Sequence, residues 1–216
     1  MIIAIDGPAG SGKTTIAKLL ANKFDISYLD TGATYRALTF KALESKVDLK
    51  DEFTLRNLAK SLDLRLEGKA VYLEGEDVSE KIRTPLIDKN ISLIVSYPKV
   101  REVMVDLQRK IAKGHDYVVE GRDITTVVFP KAEFKFYLDA EAKVRSQRRF
   151  NELEAKGIAV DFSEVDDDLN KRDEADKNRK VGALTRASDA IYIDTTKLSI
   201  RQVVELIFSH ITKENR

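Results

Sequence analysis

Cysteine and tryptophan are absent from the 216 residues, and histidine occurs only twice. Without cysteine there can be no disulfide and no thiolate metal site, which agrees with a cytoplasmic address. No apolar run approaches the ~20 residues that a membrane span requires. The apolar run at the N-terminus has no basic region before it and is broken at Asp6, so it does not read as a secretory signal. An excess of one charge sign is missing too: 37 basic residues face 36 acidic ones. A general nucleic-acid binder needs a basic surplus to neutralise phosphates, so that class is excluded. Any site for a polyanion must be a local cluster of arginines and lysines. His115 and His210 are isolated and read as surface or packing residues, and no nucleophile–base constellation accompanies them. There is no internal repeat and no low-complexity tail.

What is present suits one sizeable core with a small appendage. Short apolar runs at 2–5, 26–30, 117–120, 134–138 and 190–194 read as strands, with helical periodicity between them. The pattern predicts an α/β fold: a five-stranded parallel sheet with helices on both faces. Residues 62–79 instead alternate apolar and polar around Gly68-Lys69, as a β-hairpin does. Segment 62–97 is therefore expected to be an inserted subdomain. The core would comprise 1–61, 98–142 and 181–216, with a helix from about Ala33 to Ser45 and another over 100–114. Segment 143–180 is dense in charge, has too few apolar residues for a core, and is expected to act as a lid.

Between the first strand and the first helix lies Gly7-Pro8-Ala9-Gly10-Ser11-Gly12-Lys13-Thr14-Thr15. It matches the phosphate-loop pattern, in which glycines let backbone N–H groups turn inward onto phosphate oxygens at a helix N-terminus. Lys13 would bridge the terminal phosphates and the Thr14 hydroxyl would hold Mg²⁺. The loop implies a nucleoside triphosphate, with ATP the expected phosphoryl donor. Asn22-Lys23-Phe24-Asp25 resembles a guanine-reading motif, but it ends the first helix instead of following a late strand, and reads as a helix terminus.

If the acceptor is itself a phosphate monoester, two polyanions must approach each other. Each unit-charge pair at 4 Å costs ~1 kcal/mol even in water. Such a reaction calls for converging arginines, whose planar fork suits phosphate. Arg36 and Arg122 lie just past predicted strand ends, Arg145, Arg148 and Arg149 are spaced to share one helical face, and Arg172 and Arg179 lie in the charged stretch. Lys13, Arg36, Arg122, Arg149 and Arg179 are the candidate catalytic residues. An ionised phosphate acceptor needs no base. An alcohol acceptor would want a carboxylate, and Asp30 keeps a shikimate- or sugar-type kinase open as an alternative.

The segments IDGPAGSGKTT, YLDTGATYRAL, VVEGRDITTVVFPKAEFKFYLDA, RSQRR, KRDEADKNR and ASDAIYIDTT, taken in order, resemble the bacterial cytidylate (CMP) kinases. The resemblance spans about residues 2–205. It implies an adenylate-kinase-like fold whose insert binds a nucleoside monophosphate, and a place in pyrimidine nucleotide metabolism. Small nucleotides are the expected partners, with neither nucleic acid nor membrane, and a monomer is expected because the site needs no second chain. It further implies that Thr31, Arg36, Arg122 and Arg179 grip the acceptor phosphate and that Tyr35 packs on the nucleotide. Ser92, Arg101 and Asp123 would read cytosine, and Arg172 and Asp176 would hold the ribose. Two departures stand out. Thr125 replaces a glycine usual in the family and is expected to crowd the chain near Arg122. RKVGAL replaces a proline-containing stretch after Arg179 and is expected to alter the lid hinge.

Overall fold

The N-terminal apolar run forms strand β1 (Ile2–Asp6), and the glycine loop leads from it into helix α1 (Lys13–Phe24). The computed structural model describes residues 1–68, 70–155 and 157–214. After β2 (Ser27–Asp30), helix α2 (Thr31–Glu44) begins earlier than the periodicity suggests. Asp30 starts it, its carboxylate accepting from Ala33 N at 3.0 Å. Asp51 caps α3 (Glu52–Lys60) in the same manner, taking the N–H groups of Phe53 and Thr54.

The alternating segment is a hairpin of β3 (Leu64–Glu67) and β4 (Ala70–Leu73). A short β5 (Glu76–Asp77) extends it to three antiparallel strands. Helices α4 (Pro85–Ile94) and α5 (Pro98–Ala112) each carry proline in the first turn, where its missing N–H has no helical partner to lose. Next come β6 (Tyr117–Gly121), a π-helical turn at Ile124–Val128 and β7 (Phe134–Asp139). Helices α6 (Ala142–Ala155) and α7 (Phe162–Lys177) form most of the charged stretch. Strand β8 (Ile191–Asp194) and helix α8 (Ile200–Glu214) complete the chain.

The large sheet runs β2-β6-β1-β7-β8, with every neighbouring pair parallel. All five carboxyl ends consequently open at one rim, where ligands bind in sheets of this kind. One apolar cluster joins Ile3, Ile5 and Phe136 to α1 and α8. Another joins α2, α3, α5 and the small sheet, with Leu38, Leu55, Val71, Leu73 and Met104 at its centre. Among the described residues, no helix is long and apolar enough to cross a membrane.

Asp6, at the end of β1, is fully buried. It accepts hydrogen bonds from Ile124 N and Thr125 N, both at 2.8 Å, and from the Thr125 hydroxyl at 2.6 Å. Thr125 therefore does not crowd Arg122. Its side chain turns inward and supplies the third donor to a carboxylate that would otherwise be under-solvated.

Candidate active site

The phosphate loop lies at the centre of the rim. Ser11 donates to Pro8 O at 3.0 Å, and Lys13 Nζ donates to the same carbonyl at 2.6 Å, so the lysine lies across the mouth of the loop. Burial, reinforced by the Arg122 charge, pushes the Lys13 ammonium down to about 7. Beside it, the Thr14 hydroxyl donates to Glu120 Oε1 at 2.5 Å, and the Tyr28 hydroxyl donates to the same atom at 2.8 Å. Burial and the neighbouring Asp30 raise the Glu120 carboxyl above its usual range. Glu120 ends a predicted strand, which places it at the rim, but no spacing tied it to Thr14.

Two aspartates organise the arginines. Asp176 accepts from Arg122 Nε at 2.8 Å and also pairs with Arg179. Asp88, on α4, accepts from Arg36 at 2.5 Å and has Arg149 at 3.9 Å. Arg172 lies within the field of both sets. Burial, then Arg122, lowers its guanidinium to about 10, with Arg36 acting the same way and Asp176 and Asp88 opposing. Four guanidinium groups thus pair with two carboxylates, and Arg172 lies in the electrostatic field of both pairs. Arg149 divides its contacts, donating also to Glu152 at 3.0 Å. The single helical face expected for Arg145, Arg148 and Arg149 splits three ways. Arg145 turns to Ala9 O at 2.9 Å, and Arg148 to Thr195 O at 2.6 Å.

A second buried pair lies deeper. Arg101 is 2% exposed and pairs with Asp123, while its guanidinium carbon sits 5.6 Å from the centre of the Tyr35 ring. The turn after α7 lies directly on this pair. A Cβ on Gly182 would fall 2.2 Å from both Arg101 Nη2 and Asp123 Oδ2, and Gly182 itself has a left-handed φ of 68°. Arg179 fixes the turn by donating to Gly182 O at 3.1 Å. Thr31 donates to Glu120 O at 2.8 Å, joining α2 to β6 under the rim. Asp30, the candidate base for an alcohol acceptor, is occupied as a helix cap and by Arg83 at 3.3 Å.

A phosphate-loop sequence thus lies beside a group of arginines at the sheet rim, and comparison with known proteins decides which family the chain belongs to. The family model described as cytidylate kinase matches residues 3–213. The chain belongs to the cytidylate kinase family. A curated cytidylate kinase from Caldanaerobacter subterraneus subsp. tengcongensis is 48% identical over 214 residues, covering 99% of this chain and 96% of the relative. One from Alkaliphilus oremlandii is 46% identical over 207 residues, covering 96% and 95%. Among solved structures, an uncharacterised protein from Eubacterium ventriosum shares the fold, with a TM-score of 0.53, 18% identity and 98% of each chain covered.

Within this cytidylate kinase family member, the sequence-selected residues group unevenly. Arg36, Arg122, Arg149, Arg172, Asp176 and Arg179 converge, and Tyr35, Arg101 and Asp123 form the buried pair and its ring. Ser92 lies exposed on α4, and among the described residues no hydrogen bond joins it to Arg101 or Asp123. Asp88 and Glu120 were not selected from the sequence. Glu120 stands in the VVEGRD segment and Asp88 in no recognisable spacing, and only the fold brings the first to Thr14 and the second to the arginines. Nor is segment 143–180 devoid of apolar packing: Val165 and Leu169 bury against Ala9, with Phe150, Leu153 and Val160 beside them.

Proposed function

We propose that this chain transfers the γ-phosphoryl group of ATP to CMP, and to dCMP, by in-line displacement. The observation that carries the reading is the group of arginines gathered at Asp88 and Asp176 beside the phosphate loop. The guanidiniums outnumber the carboxylates they pair with, Asp88, Asp176 and Glu152, and that local positive excess suits an acceptor phosphate drawn toward a triphosphate. Gly7 to Thr15 hold the ATP phosphates, and Lys13 meets the β and γ groups. Arg36, Arg122 and Arg179, with Thr31, hold the acceptor phosphate. Arg149 approaches from the lid.

Cytosine is read by Arg101 and Asp123. Its amino group gives Asp123 a donor, whereas uracil presents a carbonyl there and leaves a buried acceptor unpaired, at ~1–3 kcal/mol. Tyr35 packs on the nucleotide, Ser92 meets the base edge from α4, and Arg172 and Asp176 hold the ribose. Segment 62–97 is the acceptor-binding subdomain and 143–180 the lid that excludes water. The Thr14 hydroxyl and its Glu120 partner are hard oxygen donors of the kind Mg²⁺ takes. Thr14 would hold the ion, which supplies charge neutralisation at the transferring group. No general base is needed. The enzyme works as a cytoplasmic monomer, since both sides of the cleft come from one chain.

A coupled ADP-release assay with ATP and CMP, dCMP, UMP, AMP or shikimate tests the reading. CMP and dCMP should turn over fastest. Turnover of AMP or shikimate without CMP would reject it. Arg36→Ala and Arg179→Ala should each raise the KM for CMP by about tenfold to a hundredfold, with ATP binding nearly unchanged.

A further inference from the structure

Ala9 is held from outside its own loop on both of its backbone polar groups. Its N–H donates to Asp173 Oδ1 at 3.2 Å, and its carbonyl accepts from Arg145 Nη1 at 2.9 Å. The two side chains also pair with each other, and Arg145 Nε donates to Ala140 O at 3.0 Å. Arg145 and Asp173 are 7% and 4% exposed, so these are desolvated, charge-assisted bonds. The clamp comes from two helices: Arg145 from α6 and Asp173 from α7. Fit is close. A Cβ on Gly10 would lie 2.9 Å from Arg145 O, and Ala9 itself packs on Val165 and Leu169.

We propose that Arg145 and Asp173 are positioning residues for phosphoryl transfer, fixing the phosphate loop through Ala9 so that the α6–α7 unit and the loop hold the triphosphate as one body. Neither side chain needs to touch ATP. They set the path of the backbone whose N–H groups do. A glycine-rich loop costs conformational entropy to order, and an external clamp on one residue removes part of that cost before the ligand arrives. The proposal rests on the reading of the loop as the ATP site.

The test is calorimetric ATP binding without acceptor, together with steady-state KM values for both substrates. Asp173→Asn keeps an acceptor for Ala9 N–H but turns an amide toward Arg145 and removes the charge. It should weaken ATP binding by about tenfold or more while the KM for CMP moves less than about threefold. Because both residues act through Ala9, Arg145→Ala combined with Asp173→Asn should be no worse than the more severe single variant. Ser146→Ala, which removes the α6–α7 hydrogen bond to Asp166 but neither of the bonds to Ala9, is the control for simple loosening of the lid. It should leave ATP binding unchanged.

Unchanged ATP affinity in Asp173→Asn, a parallel rise of both KM values, or an equal loss in Ser146→Ala would each overturn the proposal. If Asp173→Asn fails to fold, Arg145→Lys, which keeps the charge but loses the fork, carries the same prediction in weaker form. Failure of the wild-type chain to bind ATP would instead reject the underlying reading.

Discussion

Two buried ionisable side chains in the cleft make opposite predictions. Lys13 has its ammonium pushed down to about 7 by burial, so phosphate oxygens arriving beside it must raise that value again. ATP binding at about pH 8 should therefore take up close to one proton, and affinity should fall as pH rises from 7 toward 9. Calorimetry in two buffers of different ionisation heat reads this directly; identical heats would refute it, and Lys13→Met should abolish the uptake. Asp6 is raised from 3.8 to about 6 by burial, despite the donors from Ile124 and Thr125. A raised carboxyl favours the fold while protonated, below its unfolded value, and that contribution is lost as pH rises through the folded one. Asp6 should thus reduce urea stability by up to about 3 kcal/mol between roughly pH 4 and 6, and Asp6→Asn should remove that decline from the difference curve. A difference curve flat over that interval would count against it. At this scale the sequence was legible where chemistry is local. Arg122 directly follows β6, and in a parallel sheet that position alone sends a side chain to the rim, whereas Arg36 stands in the second turn of α2 and reaches Asp88 from there. Asp88, Arg145 and Asp173 were opaque because each acts on a group far away along the chain: Asp173 bonds a backbone N–H 164 residues distant, which no spacing rule encodes.

The elements divide along similar lines. The five parallel strands could be read because each is a short, nearly continuous apolar run, and the hairpin because it alternates. The β5 strand and α3 were not read: β5 has only two residues, and α3 is nine residues long with only Leu55 and Ala59 fully buried. The turn after α7, Arg179 to Leu184, has a glycine whose place in the fold has a structural meaning. Glycine at 182 lets the backbone rest directly on Arg101 and Asp123. Gly182→Ala would place a methyl group inside that contact and force an L-residue into φ 68°, a strain of ~1–2 kcal/mol. The expected result is a lower Tm and a rise of about tenfold in the KM for CMP, with ATP affinity preserved. A KM for CMP within about twofold of wild type would show that the turn has no part in reading the base.

At the scale of the whole molecule, near-neutrality conceals strong local imbalance. The net charge is +1, yet Arg36, Arg122, Arg149 and Arg179 gather on Asp88 and Asp176, with Arg172 in the field of both. An anion relieves the repulsion among them, so a dianion should raise Tm. CMP at a hundred times its Kd should contribute about 2.7 kcal/mol, and cytidine at equal concentration far less. Equal shifts from CMP and cytidine would contradict the assignment of the cluster. The two apolar clusters lead to a different kind of consequence. Ile3, Ile5 and Phe136 pack against α1, whereas Leu38, Val71, Leu73 and Met104 join α2 and α5 to the small sheet, and a third cluster with Val105 and Val119 links α5 to the large sheet. A substitution confined to the second cluster should disturb the small sheet and α2 before it reaches β1, the strand that leads into the phosphate loop. Preference for the molecule receiving phosphate would then drift between relatives at little cost to triphosphate binding.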